Sequence, residues 1–313
     1  MTASAVTTRG GRAPAPPRER SERPRYWAYL APMAAGFLII VAIPLVMNVW
    51  FSLHNWQGGA SEMTWVGLGN YVELMQDPTF WQSFRNTLYM IVAIVVVPTL
   101  VGLLLASVLF NLVAPRVGER TAAFLRGSYY LPQILPIAVA GFMWSWILDT
   151  DGGALNAVLT AIGVASPPDW LGSADVAIYG IMLMLIWLQL GYPVVIFMAA
   201  LGRVDPSIYE AADVDGASWW SQFTRITLPE LKPEIFIVTL TALVGALKVF
   251  APILILTGGG PEGSTVVPSY YAYRNFFELS RVGYGAAISN VMALLILVIA
   301  IGMLVFQRRA TDD

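Results

Sequence analysis

Side chains able to do chemistry are scarce in this chain of 313 residues, which has no cysteine and one histidine, His54. The lack of cysteine removes thiolate nucleophiles, disulfides and Cys-based metal sites. No triad, carboxylate pair or metal cluster is arranged around His54, so enzymatic chemistry has little support. His54 reads as a solvated side chain just past the first apolar run. Two other features stand out. Lys248 is an ionisable group well inside an apolar stretch, where charge is costly and suggests function. The stretch EAADVDGASWWSQFTRITLPE, Glu210 to Glu230, is the longest polar interruption between the first and last apolar runs. Its carboxylates could make charge-assisted hydrogen bonds to a partner arginine, and its small alanines would permit close approach.

These residues must be positioned by an unusually oily chain. It is 57% hydrophobic and only 12% charged, with a mean hydropathy of +0.65. A soluble core does not need so much apolar surface, whereas a lipid-facing one does. Six stretches are long enough to cross a bilayer as helices: roughly 28–53, 84–110, 122–148, 176–201, 234–256 and 285–306. The expected fold is therefore all-α, a polytopic membrane protein with six transmembrane helices. Residues 1–27 read as a disordered basic cytoplasmic tail, 28–306 as the membrane domain, and 307–313 as a short cytoplasmic tail. The first apolar run lacks a clear cleavage site and reads as a retained span.

Orientation follows from basic residues in short flanks. An N-terminus placed inside puts Arg9, Arg12, Arg18, Arg20, Arg23 and Arg25 in the cytoplasm. Arg116, Arg120, Arg126, Arg203, Arg225, Lys232, Arg308 and Arg309 join them. Only Arg85, Arg274 and Arg281 fall outside. Both termini, and the loop of about 203–230, are thus expected on the cytoplasmic side of the membrane.

Within that loop, Asp205 followed by Pro206 signals a helix start. Gly216 turns the chain, a second short helix follows and ends at Pro229, and Pro233 starts the fifth span. Trp219 and Trp220 suit a membrane interface. Spacing alone leaves two readings open, an amphipathic interfacial loop or a docking element for a soluble partner.

Glu210-Ala211-Ala212, Gly216, Ile226, Leu228 and Pro229 match, gap for gap, the EAA signature of binding-protein-dependent ABC importer permeases. Asp215, Ala217 and Phe223 extend the match. The stretches VGLGNY (66–71), DPTFWQSFRNTLYM (77–90), LPQILP (131–136), LTGGGPEGST (256–265) and YGAAISN (284–290) resemble the carbohydrate-uptake branch. The resemblance covers roughly residues 28–306 and implies a type I importer permease. It further implies that Glu210, Ala211, Ala212, Asp215, Gly216 and Ala217 couple to a separate ATP-binding subunit. The chain itself would carry no cofactor, with ATP and Mg on that partner. A second permease, an extracytoplasmic solute-binding protein and membrane lipids complete the expected partners, with no nucleic acid. One departure is Ala251, where the branch often has aspartate after Phe250.

TGGGPEGS (257–264) lacks the Gly-Lys-Ser/Thr ending of a phosphate loop. It reads instead as a flexible external loop near the binding protein's dock. Candidate pathway residues are Lys248, Gln133, Gln189, Tyr192, Asn290, Tyr130 and Trp144, since polar groups in spans either tie helices or face a cavity. Asn86 and Thr87 read as caps or packing. The rival class is an ion-coupled secondary transporter, which calls for acidic groups within the spans.

Overall fold

The computed structural model describes residues 23–113, 116 and 118–312. Residues 1–22 of the expected N-terminal tail, and Asp313, lie outside the described residues. The chain divides into two units, residues 1–47 and 48–313. In the first, an α-helix Arg23–Phe37 passes through a π-helical turn, Leu38–Ala42, into a helix that starts at Ile43. Residues 23–27 are thus helical rather than irregular. The first span is Tyr29–Ser52, with a hydropathy of 2.4.

In the second unit, a two-residue hairpin pairs His54 with Trp65 and Asn55 with Thr64. Span two runs Pro78–Val113, 36 residues, and starts well before the expected residue 84. Its start is set by Asp77, whose Oδ1 accepts from the Thr79 amide at 2.8 Å, and by Pro78 at the first helical position. Span four is Ala177–Leu201 and span six Val282–Arg308.

The two remaining spans depart from the expected single helices. Span three is a helix pair, Ala123–Ile134 and Ile137–Ile147, bent by 96°. Pro136 causes the break: it disfavours helical geometry at Leu135, which is extended (φ −66°, ψ 135°). Span five is helical over Lys232–Leu247, interrupted, and helical again over Ala251–Leu256. Pro252 has no amide and its ring would clash with the carbonyl four residues back, that of Lys248, so the helix cannot run through. In a membrane such breaks persist where the freed backbone groups face protein or a watery cavity.

Spans two, four and five share one apolar cluster around Met90, Ile181, Met184, Ala246 and Ile253. A second cluster, around Leu103, Phe197, Leu201 and Leu231, packs the other end of the same spans. Spans three and four approach closely at Gly191. A Cβ there would lie 2.2 Å from the Tyr129 carbonyl oxygen, so the backbones touch only because that side chain is hydrogen.

Candidate coupling site and transport pathway

The loop between spans four and five folds as two short helices around a glycine corner. Asp205 caps the first, Pro206–Val214, by accepting from the Ser207 amide at 3.0 Å. The helix ends in a Schellman motif: the Ala217 amide reaches the Ala212 carbonyl at 2.9 Å and the Gly216 amide that of Asp213 at 3.0 Å. Gly216 has φ +73° and open space around it, so the site demands glycine for its backbone, not for room. Ser218 caps the next turn, Trp219–Gln222, which continues helically to Glu230. Pro229 therefore does not end this helix, as expected from the sequence. It lies within the last turn, Leu228–Glu230, and the break comes at Leu231. Pro233 does lie in the first turn of Lys232–Leu247.

Two links that the motif did not reveal brace the corner. Gln222 donates from Nε2 to Asp213 Oδ1 at 2.6 Å and to the Ala217 carbonyl at 3.2 Å. The Tyr209 and Thr227 hydroxyls meet at 3.0 Å. Burial, aided by the Glu230 charge, pushes the Tyr209 hydroxyl above its ordinary pKa. Arg203 pairs with Glu234, tying the loop to the foot of span five. Trp219 is half-buried against the lower cluster and stacks on Phe223, while Trp220 stays exposed.

The result is a rigid helix that buries none of its nine residues. Glu210, Ala211, Asp215 and Gly216 are exposed, and Ala212 and Ala217 are half-buried beneath them. Val214, 88% exposed, and Ile208 add apolar surface to the same segment. Behind it lies a cleft of about 910 Å³ bordered by Asn111, Arg126, Arg203, Glu210, Asp213 and Trp219.

The pathway candidates separate into two groups. Gln133, Tyr130, Trp144, Gln189 and Tyr192 are all half-buried. Gln133 Oε1 and Trp144 Nε1 are buried with no hydrogen-bond partner among the described residues, an arrangement that an apolar packing role does not explain. Trp144 also lies 5.9 Å from Trp187, ring to ring. Asn290, by contrast, has its amide committed: Oδ1 accepts from Asn48 at 2.7 Å and Nδ2 donates to the Tyr71 hydroxyl at 3.1 Å. It ties helices together. Lys248 closes the first helix of span five and is exposed.

Two sequence expectations change at the opposite end of the spans. His54 is buried, not solvated; its Nδ1 lies 2.8 Å from the Trp50 carbonyl, between the Trp50 and Trp65 rings. The glycine loop is pinned rather than free. Asn86 donates to the Ser264 and Val266 carbonyls, both at 2.8 Å, and the Thr257 and Thr265 hydroxyls meet at 2.7 Å. Tyr270 donates to the Gly258 carbonyl at 2.7 Å. Thr87 is a buried packing residue, whereas Asn86, also buried, is the side chain that clamps the loop.

Asp77 went unremarked as a site. Besides capping span two, its Oδ2 accepts from Tyr271 at 2.5 Å and Tyr284 at 2.6 Å. Burial alone would raise its pKa, but these bonds and the Thr79 and Phe80 amides outweigh it and hold the carboxyl below its ordinary value.

Comparison with known proteins shows the family. Residues 117–312 match the family described as binding-protein-dependent transport system inner membrane component. A probable ABC transporter permease protein of Bacillus subtilis, YurN, is 32% identical over 92% of this chain and 97% of its own. The lactose transport system permease protein LacF of Rhizobium radiobacter is also 32% identical, over 90% and 95%. In a crystal structure of a bacterial ABC transporter involved in import of the acidic polysaccharide alginate, one chain superposes with a TM-score of 0.78. That chain is 25% identical, and the match covers 91% of this chain and 95% of that one. The chain belongs to the binding-protein-dependent ABC transporter permeases, and is a multi-pass membrane protein.

Proposed function

We propose that this chain forms half of the translocation pathway of an ATP-driven importer for a sugar or related polyol, with both termini in the cytoplasm. Its helix Pro206–Val214 seats in an ATPase subunit, where Glu210, Ala211, Ala212, Asp215, Gly216 and Ala217 form the contact. ATP and Mg belong to that subunit. A second, homologous permease completes the pore, and a solute-binding protein delivers solute to the opposite face. Relatives named for lactose and for starch degradation products support the carbohydrate class. A neighbour solved with an alginate pentasaccharide-bound periplasmic protein supports the delivery partner. Gln133, Tyr130, Trp144, Gln189, Tyr192 and Lys248 are the proposed pathway residues.

The observation that carries the reading is a helix capped at both ends, braced from behind by Gln222, yet with no residue fully buried. A surface held so firmly without contributing to the core is organised for a partner. Co-purification with the ATPase subunit tests it. Glu210→Arg is expected to cut recovery of the ATPase at least about tenfold, the loss of one desolvated charge-assisted contact. Because Glu210 is exposed, the permease itself should melt unchanged. Full recovery of the ATPase with Glu210→Arg would contradict the assignment.

A further inference from the structure

Lys248 lies on a face of span five that is unlike the exposed faces of spans two and six. On span two the exposed stripe is Leu88, Val92, Val96, Leu100 and Leu104, all large and aliphatic. On span six it is Leu294, Leu297, Val298, Ile301 and Leu304. Span five buries Val238, Ala242, Ala246 and Val249 on one side. Its exposed stripe, one helical face over, is Ile237, Thr241, Gly245 and Lys248. Past Ile237 that stripe has no large apolar side chain, and it ends in an ammonium. Hydrocarbon would favour the opposite composition.

No ion pair neutralises Lys248, although it stands at the C-terminal end of helix Lys232–Leu247, where the carbonyl dipoles favour a cation. Among the described residues Lys248 has no carboxylate within ion-pair distance. Ala251, three residues on, cannot supply one. Lys248 stands at the helix break, next to Val249 and Phe250, which pack in the same cluster as Trp144 and Trp187. An ammonium held at a break in a span, on a small and polar face, provides a counter-charge for something that passes.

From this geometry we infer that Lys248 selects for a solute bearing a negative charge, such as a carboxylated or otherwise acidic sugar. The inference rests on the importer reading and narrows its substrate class. Along a partly dry pathway an unpaired cation attracts an anion strongly and a neutral sugar weakly. The charge would lower the barrier for the acidic member of two otherwise equal solutes.

The test uses the complete transporter, with its binding protein, in proteoliposomes supplied with ATP. Matched pairs are offered: glucose and glucuronate, galactose and galacturonate, cellobiose and cellobiouronate. The acidic member of at least one pair is expected to accumulate faster, and Lys248→Gln to lower its rate at least about tenfold relative to its neutral partner. Lys248→Arg should keep the preference. As the chain has no cysteine, Lys248→Cys gives it a single thiol. A membrane-impermeant sulfonate reagent should label it, as a water-lined face requires. Absence of accumulation of every acidic member, a preference unchanged in Lys248→Gln, or a thiol closed to the reagent would overturn the inference. So would a Lys248→Gln variant that fails to assemble with the second permease, since the counter-charge would then be that subunit's. Each of these leaves ATP-dependent uptake, and with it the importer reading, standing or falling on its own measurement.

Discussion

Asp77 ties three segments through one carboxylate. It caps span two and accepts from Tyr271, in the short helix Pro268–Tyr273, and from Tyr284, in span six. A carboxylate with a folded pKa below its unfolded one stabilises the fold fully above the ordinary value of about 4. That stability is lost as pH falls through the lower folded value. Asp77→Asn should therefore lower stability at pH 7 by about 1–2 kcal/mol once partial exposure is discounted, read as a lower melting temperature. The gap between variant and parent should narrow below about pH 4. A gap that stays constant down to pH 3 would show that the charge contributes nothing. Nothing in the local sequence marks Asp77 as more than a cap, because its hydroxyl partners lie 194 and 207 residues away. The corner at Gly216 was legible for the opposite reason: its positive φ depends on neighbours within a few residues. His54 was misread because its burial comes from Trp65, across a hairpin whose strands are only two residues long.

Helices follow the same division between near and far. Cap and corner signals around Asp205, Pro206 and Gly216 set the bounds of helix Pro206–Val214, and the fold agrees with them. Prolines were harder, because a proline breaks a helix or sits harmlessly in its first turn according to context. Pro136 bends span three by 96°, and Pro252 interrupts span five, while Pro229 passes within a helical turn. Apolar length alone could not separate these cases. Close packing between spans was equally hidden. Gly191→Ala would push a methyl group against the Tyr129 carbonyl, where backbone cannot yield as a flexible side chain can. It should destabilise the permease by about 1–3 kcal/mol, read as a lower melting temperature in detergent. An unchanged melting temperature would mean that spans three and four do not approach as closely as described.

At the scale of the whole chain, composition and apolar length point to a six-span membrane protein; the family match and fold show a multi-pass helical permease, with four helices, or five counting the bent pair, long and apolar enough to cross among the described residues. What length and hydropathy could not supply is the difference in composition between the exposed faces of different spans. That difference appears only when the exposed stripes of spans two, five and six are set side by side. The same surface logic separates the two ends of the molecule. A braced, unburied helix lies at one end, and a loop pinned by Asn86 and Tyr270 at the other. Motion is therefore expected to be carried by whole spans, hinged at the breaks near Pro136 and Lys248, and not by loose loops. The most direct measurement is solute uptake into proteoliposomes containing the chain with its ATPase, second permease and binding protein. Uptake should require ATP and the binding protein together, and should persist when proton and sodium gradients are collapsed. Uptake driven by an ion gradient in the absence of ATP would contradict the account.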